Sequence, residues 1–199
     1  LRAGRELDED AHFDNVERAH DRMERIIQDV LTLARGEDVV DPDETVALGR
    51  LAESAWETVE TGEATLTVAD PLPTTVADPD RVSRLFENLF RNSVEHGTTG
   101  SADATAGTDG TGGVSVTVGR LSDPPTDGFY VADDGSGLPA SARERAFEPG
   151  YSSDDHGTGL GLAIVERIAD LHGGSSAVTN AESGGARVEI REVEPGGES

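Results

Sequence analysis

Residues 156–161 read HGTGLG, and the helix-like run GLAIVERIADLHGG continues from Gly161. Gly157, Gly159 and Gly161 alternate with Thr158 and Leu160 just ahead of that apolar-rich stretch. Glycines so placed let backbone amides approach an anion at a helix N-terminus, where the helix dipole favours negative charge. Three spaced glycines also cost backbone entropy, so a plain flexible entry to a helix explains them poorly. Two further stretches carry groups suited to such a ligand. In FENLFRNSVEH, Asn88 and Asn92 stand one helical turn apart. Two amide oxygens in register can hold a hydrated magnesium ion, which prefers oxygen ligands. In VADDGSGLP, Asp133 ends a β-branched and aromatic run before Gly135 and Gly137 turn the chain. A carboxylate there can accept a hydrogen bond from an exocyclic amine. Taken singly, the two asparagines read better as solvent-facing residues of a helix, and VADDGSGLP reads also as a plain tight turn.

The familiar nucleotide loops do not match. The chain has no lysine, all 16 of its basic residues being arginine, so it lacks both the Walker lysine and the strand lysine of protein kinases. A Rossmann loop follows a strand, whereas YSSDDH precedes these glycines. Composition excludes more. With no cysteine, disulfides and thiolate metal sites are ruled out. No apolar run approaches the roughly 18 residues of a membrane span. A net charge of −24, from 40 acids against 16 arginines, argues against nucleic acid as a partner. Heavy acidity without lysine is the pattern of adaptation to molar salt, where a Debye length of about 3 Å quenches surface repulsion. The opening LRAGRELDED, without an initiating methionine, suggests a piece of a longer protein.

These residues need elements to hold them. Phe13, Val16, His20, Met23, Ile27, Val30 and Ala34 recur at spacings of three and four, a heptad seam that Ala19, Ile26 and Leu33 widen. Such a helix calls for a partner helix or a second chain. The polar GEDVVDPDET then reads as a linker. Beyond it the patterns give a helix over 48–59, strands at ATLTVAD and TTVAD, a helix from Asp78–Asp80 to about His96 and a low-complexity loop over 97–113. Strands follow at VSVTVGRL, GFYVAD, SSAVTN and ARVEIREV. On the second helix Val82, Leu85, Leu89 and Val94 read as core-facing, with Phe86 and Phe90 flanking them. The mixture indicates an α+β chain, a two-layer α/β sandwich preceded by a helical-bundle segment.

In this order and spacing the segments resemble the four boxes of the histidine-kinase ATP-binding domain. FENLFRNSVEH is similar to the N box, DDGSG to the first glycine box, AFEPGY to the F box and GTGLGL to the second glycine box. The resemblance implies the Bergerat fold shared with gyrase, Hsp90 and MutL ATPases. It implies ATP and magnesium as cofactors, with Asn92 ligating the metal, Asn88 beside it and Asp133 accepting from the adenine amine. Gly135 and Gly137 would shape the adenine pocket, Phe147 would pack under a lid, and Gly157, Thr158, Gly159, Leu160 and Gly161 would wrap the phosphates. Domain limits follow: residues 1–36 as the end of a dimerisation and phosphotransfer hairpin, 37–45 as linker, 46–194 as the catalytic domain and 195–199 as tail. The implied partners are a second copy through the hairpin and a response-regulator receiver, in the cytoplasm.

His20 sits in the heptad seam without the arginine and proline pattern that follows a phosphoacceptor in this family. It is expected to be structural, with the acceptor upstream of Leu1 and no catalytic residue within these positions. Glu95 replaces a lysine common in the N box, and His172 falls near a helix C-cap. The competing readings are an ATPase of the gyrase and Hsp90 type, an anti-sigma serine kinase and a degenerate nucleotide-binding scaffold. An ATPase has a glutamate base where Asn88 stands.

Overall fold

The computed structural model describes residues 16, 20, 23, 24, 26, 27, 29–31, 33, 44–69, 71–97, 113–121, 128–152 and 157–191. The chain divides into two compact units, Leu1–Glu37 and Asp38–Ser199. In the first, the described residues are helical. Val16, Met23, Ile27 and Val30 of the seam are 66%, 56%, 57% and 50% exposed, so their apolar face is left uncovered within one chain. His20 is exposed too, its Nε2 3.8 Å from the Glu24 carboxylate one turn on. Phe13, Ala19 and Ala34 lie outside the described residues.

The second unit runs β1 (Glu44–Ala47), α1 (Leu48–Thr58), β2 (Thr65–Ala69), β3 (Thr74–Ala77), α2 (Pro79–Gly97), β4 (Ser115–Arg120), β5 (Gly128–Asp133), α3 (Ala140–Arg143), α4 (Gly161–Leu171), β6 (Ser175–Asn180) and β7 (Ala186–Arg191). Five strands form one mixed sheet in the order β2-β4-β5-β7-β6, and β1 pairs with β3 in a separate two-stranded ribbon. Within the large sheet β2 and β4 are parallel, while β4–β5, β5–β7 and β7–β6 are antiparallel. This is the α/β sandwich of the Bergerat type. The ribbon's first strand begins at Glu44, within the last two residues of the stretch read as linker over 37–45. Val46 is buried there, and one apolar residue in a four-residue strand gives too short an alternation to be seen in sequence.

Strand alternation explains the layering. Val116 and Val118 of β4, Phe129 and Val131 of β5 and Val188 and Ile190 of β7 are all buried, and they share one face by their period of two. On the opposite face Arg187 and Arg191 both bond Glu189, and the Arg187 guanidinium lies 3.7 Å from the Tyr130 ring centroid. Burial alone would raise the Glu189 carboxyl, but the hydrogen bonds from Arg191 and Arg187 outweigh it and hold it below the usual range.

Helix α2 crosses the buried face and carries the centre of the core. Phe86 stacks on Phe90 at 5.7 Å and meets Phe129 at 5.1 Å, while Trp56 of α1 packs edge-on to Phe90 at 5.2 Å. Each such pair adds about 0.5–1.5 kcal/mol beyond burial itself. Phe86 and Phe90 are thus fully buried and central rather than flanking, and Val94 is only half-buried. The reason is that α2 touches both α1 and the sheet, so its apolar surface is wider than a single stripe. The helix starts as its sequence dictates. Asp78 Oδ1 accepts from the amides of Asp80 and Arg81, ahead of Pro79 in the first turn. Among the described residues no helix is long and apolar enough to cross a membrane.

Candidate functional site

The N-box asparagines lie on α2, where it faces the start of α4. Asn88 is 3% exposed, and its side-chain amide donates to the Arg84 carbonyl at 2.8 Å. That bond leaves its Oδ1 for the cleft. Asn88 is therefore buried, against the solvent-facing reading of the asparagines taken singly. Asn92, one turn later, is half-buried.

The two asparagines converge on Gly161, the first residue of α4. A β-carbon built at Gly161 would lie 3.1 Å from Asn92 Oδ1 and 3.4 Å from Asn88 Oδ1. A side chain at Gly161 would press on these oxygens, so glycine eases the close approach of α4. Upstream, Gly159 has φ +65°, a backbone state that L side chains rarely adopt, and its carbonyl accepts from the Gly150 amide at 2.9 Å. Thr158 Oγ1 caps the Leu160 amide at 3.4 Å, and Gly157 is half-buried beside it. The loop of residues 157–161 is thereby folded ahead of α4, with the helix N-terminus and its orphan amides behind it.

Asp133 ends β5 and is 8% exposed. Its Oδ1 accepts from the amides of Gly135 and Ala186, both at 3.0 Å, and Ser93 of α2 adds a side-chain hydrogen bond. Burial raises the carboxyl above its ordinary range, against the opposing pull of the Ala186, Gly135 and Ser93 bonds. Gly137, at φ +67°, turns the chain against the β6–β7 connection, where the Leu138 amide donates to Asn180 Oδ1 at 3.1 Å. A buried, oriented carboxylate at a strand end is able to select a ligand that presents a donor.

Phe147 sits half-buried in the turn after α3. Beside it Arg145 pairs with Glu148 at 2.8 Å and lies 4.6 Å from the Tyr151 ring centroid. Of the lid expected between Gly150 and Gly157, residues 153–156 lie outside the described residues.

The structure thus brings Asn88, Asn92, Thr158, Gly159, Leu160 and Gly161 to one end of the site. Asp133, Gly135 and Gly137 gather at the other. Sequence reasoning missed Ser93 and Ala186, which hold Asp133. Ser93 had a signal, since it follows Asn92 on the same helix. Ala186 had only the SGG turn between two strands to mark it. The site offers magnesium two converging amide oxygens and an uncrowded approach over Gly161, an arrangement that fits a hard cation with several waters.

Comparison with known proteins agrees with this geometry. Residues 77–195 match the family described as histidine kinase-, DNA gyrase B-, and HSP90-like ATPase. The chain is 30% identical over 174 residues to the sensor histidine kinase ZraS of Escherichia coli O157:H7, an alignment spanning 84% of this chain and 34% of ZraS. It is similar to the ATP-binding domain of PrrB from Mycobacterium tuberculosis, with 28% identity, a TM-score of 0.56 and coverage of 78% of this chain and 100% of that one. Full-length ShkA, solved in complex with AMPPNP, gives 27% identity and a TM-score of 0.63 over 91% of this chain and 38% of ShkA. The chain therefore spans about a third of the length of the curated relatives it matches.

Proposed function

The chain belongs to the histidine kinase-, DNA gyrase B-, and HSP90-like ATPase family, and from that premise we propose that it is the catalytic part of a sensor histidine kinase. In this reading it binds magnesium–ATP and donates the γ-phosphate to a histidine, for relay to a response-regulator aspartate. The observation that carries it is the identity and setting of Asn88. A hydrolase needs a base there, and an amide cannot take a proton from water. The adjacent Glu87 points about 100° around the helix, where its carboxylate receives the Thr58 hydroxyl at 3.4 Å.

Each residue has a role derived from its place. Asp133, fixed by three hydrogen bonds, accepts from the adenine amine. Gly135 and Gly137 shape the base pocket. Asn92, with Asn88 beside it, would hold magnesium, which when bound supplies positive charge against the phosphates. The amides of Gly157, Thr158, Gly159, Leu160 and Gly161 orient the phosphates at the α4 dipole. Phe147 supports the lid.

The uncovered seam around Met23 and Ile27 supports a homodimer through the helical hairpin of residues 1–36, with 37–45 as linker and 46–194 as the catalytic domain. Such a helix also disfavours the serine-kinase alternative. The receiver domain of a response regulator, a cytoplasmic location and a requirement for molar salt complete the reading, the last from 40 acids with no lysine.

The test is incubation with magnesium and γ-labelled ATP across a salt series. The 199-residue chain should bind ATP without labelling itself. A helix bearing His, an acid, arginine and proline, fused ahead of Leu1, should acquire acid-labile, base-stable phosphate. Labelling of the 199-residue chain that vanishes in His20→Ala would make exposed His20 the acceptor. ATP hydrolysis with no phosphohistidine would favour the hydrolase.

A further inference from the structure

We propose that His172 is a positioning residue for the phosphate end of the site, acting through the spacing of α2 and α4 at the end remote from the ligand. The inference rests on the nucleotide-binding reading above. The two helices run antiparallel. Gly161 opens α4 beside Asn88 and Asn92, and His172 follows its last residue beside Asp78, at the start of α2. The imidazole joins the two at that far end. Its Nε2 accepts from the Asp78 amide at 3.1 Å, and its Nδ1 lies 2.8 Å from the Ile168 carbonyl. A carbonyl only accepts and an amide N–H only donates, so the geometry requires a neutral ring with its hydrogen on Nδ1.

Both anchors of that ring are themselves fixed. Asp78 caps α2 through Oδ1, and its Oδ2 pairs with Arg81 Nε at 3.2 Å. On the other side the His172 amide bonds the carbonyls of Ala169 and Ile168, and the Gly174 amide returns to Ala169 at 2.9 Å, closing the end of α4. Beside the ring a small apolar cavity walled by Ala77, Val82, Leu85, Ile168 and His172 lies between β3, α2 and α4, so the hydrogen bond adds a directional tie where the packing is incomplete.

Leverage makes the remote joint matter. The 11 residues of α4 span roughly 16 Å, so a tilt of about 4° about one end displaces the other by about 1 Å. At Gly161 the start of α4 faces both asparagines, a β-carbon there standing only 3.1 Å from Asn92 Oδ1, so a shift of that size changes the approach to both oxygens. Misplacement by about 1 Å can cost on the order of a hundredfold in a positioned reaction. The adenine end rests on β5, Gly135 and Ala186 together with Ser93 of α2, and α4, which the lever tilts, is not among the groups that bond Asp133.

The experiment compares His172→Leu, which has neither polar atom, with His172→Gln, whose side-chain oxygen can still accept from Asp78. Titrations use magnesium–ATP and adenosine separately, and the fluorescence of Trp56, the lone tryptophan, follows unfolding. His172→Leu should lose about tenfold or more in magnesium–ATP affinity with adenosine affinity within about twofold, and His172→Gln should recover most of the loss. Nitrogen-15 spectra of the wild-type imidazole should show a neutral ring protonated on Nδ1. Equal losses for both ligands in a folded His172→Leu chain, no loss at all, or a ring protonated on Nε2 would each overturn the proposal. If His172→Leu does not fold, a folded His172→Gln chain with magnesium–ATP affinity as poor as about a tenth of wild type overturns it equally. Wild-type chain that binds neither ligand would instead sink the nucleotide-site reading itself.

Discussion

The two ends of the cleft are built by opposite means. Around Asp133 the structure is made of bonds. Two backbone amides and a serine side chain converge on one buried carboxylate, which is oriented before any ligand arrives. Around Gly161 it is made of missing atoms, since the approach of α4 to Asn88 and Asn92 depends on the lack of a side chain. The first arrangement suits discrimination, because a fixed acceptor leaves a wrong base with an unpaired group. The second suits close approach to a charged, hydrated ligand, and it is only as exact as the helices that frame it.

Substitutions should therefore separate the ends. The largest effect is expected for Asp133→Asn. Asparagine keeps one oxygen for the Gly135 and Ala186 amides, which both bond Oδ1, but puts a donor NH2 in place of the second oxygen, and leaving a ligand donor unpaired costs about 1–3 kcal/mol. Adenosine binding should weaken about ten- to a hundredfold, and preference for adenine over guanine nucleotides should disappear in competition assays. Unchanged selectivity would reduce Asp133 to a turn residue. Gly161→Ala should act at the other end and by less. Its new methyl crowds Asn92, so magnesium–ATP affinity should fall about fivefold while adenosine affinity holds. Replacing glycine in a helix by alanine adds up to about 1 kcal/mol of stability, so the melting temperature should not fall. A parallel loss of both ligands would erase the distinction between the ends.

The smallest effect is one of pH, and its sign follows from burial. Because the folded Asp133 carboxyl is raised above its unfolded value, its contribution to stability is present below the unfolded pKa and is lost as pH rises through the folded one. Ligand binding runs the other way, since only the ionised form accepts from an amine. Adenosine affinity should drop about twofold when pH falls to the raised value, above the ordinary carboxylate range, and Asp133→Asn should flatten that profile. An unchanged affinity across that interval would show that the carboxylate does not touch the base.

Much of this was legible in the chain because long, strongly patterned segments declare themselves. Helices α1, α2 and α4 and six of the seven strands are visible from periodicity and turn residues, while the short α3 is not. What escaped depends on distant contacts. β1 exists because β3 pairs with it over Glu44–Ala47 and Thr74–Ala77, and its first two residues, Glu44 and Thr45, read as linker. Asn88 is buried because α4 covers it, which no property of α2 alone reveals. The bond from Ala186 to Asp133 joins positions 53 residues apart, and an alanine amide carries no sequence signal of its own.

The parallel pairing of β2 with β4 has a kinetic consequence. It joins Thr65–Ala69 to Ser115–Gly119 across a long excursion that contains all of α2. The antiparallel neighbours β4–β5 and β6–β7 are joined by short connections, of the kind that close in microseconds. The crossover must bear its loop-closure entropy before the edge strand rewards it, so it completes late. Since α2 brings Asn88 and Asn92 while β5 brings Asp133, a chain still on its way to the native state has half a site at most. Nucleotide added during refolding captures finished molecules and shifts the balance toward them by mass action, without hastening the step that makes them.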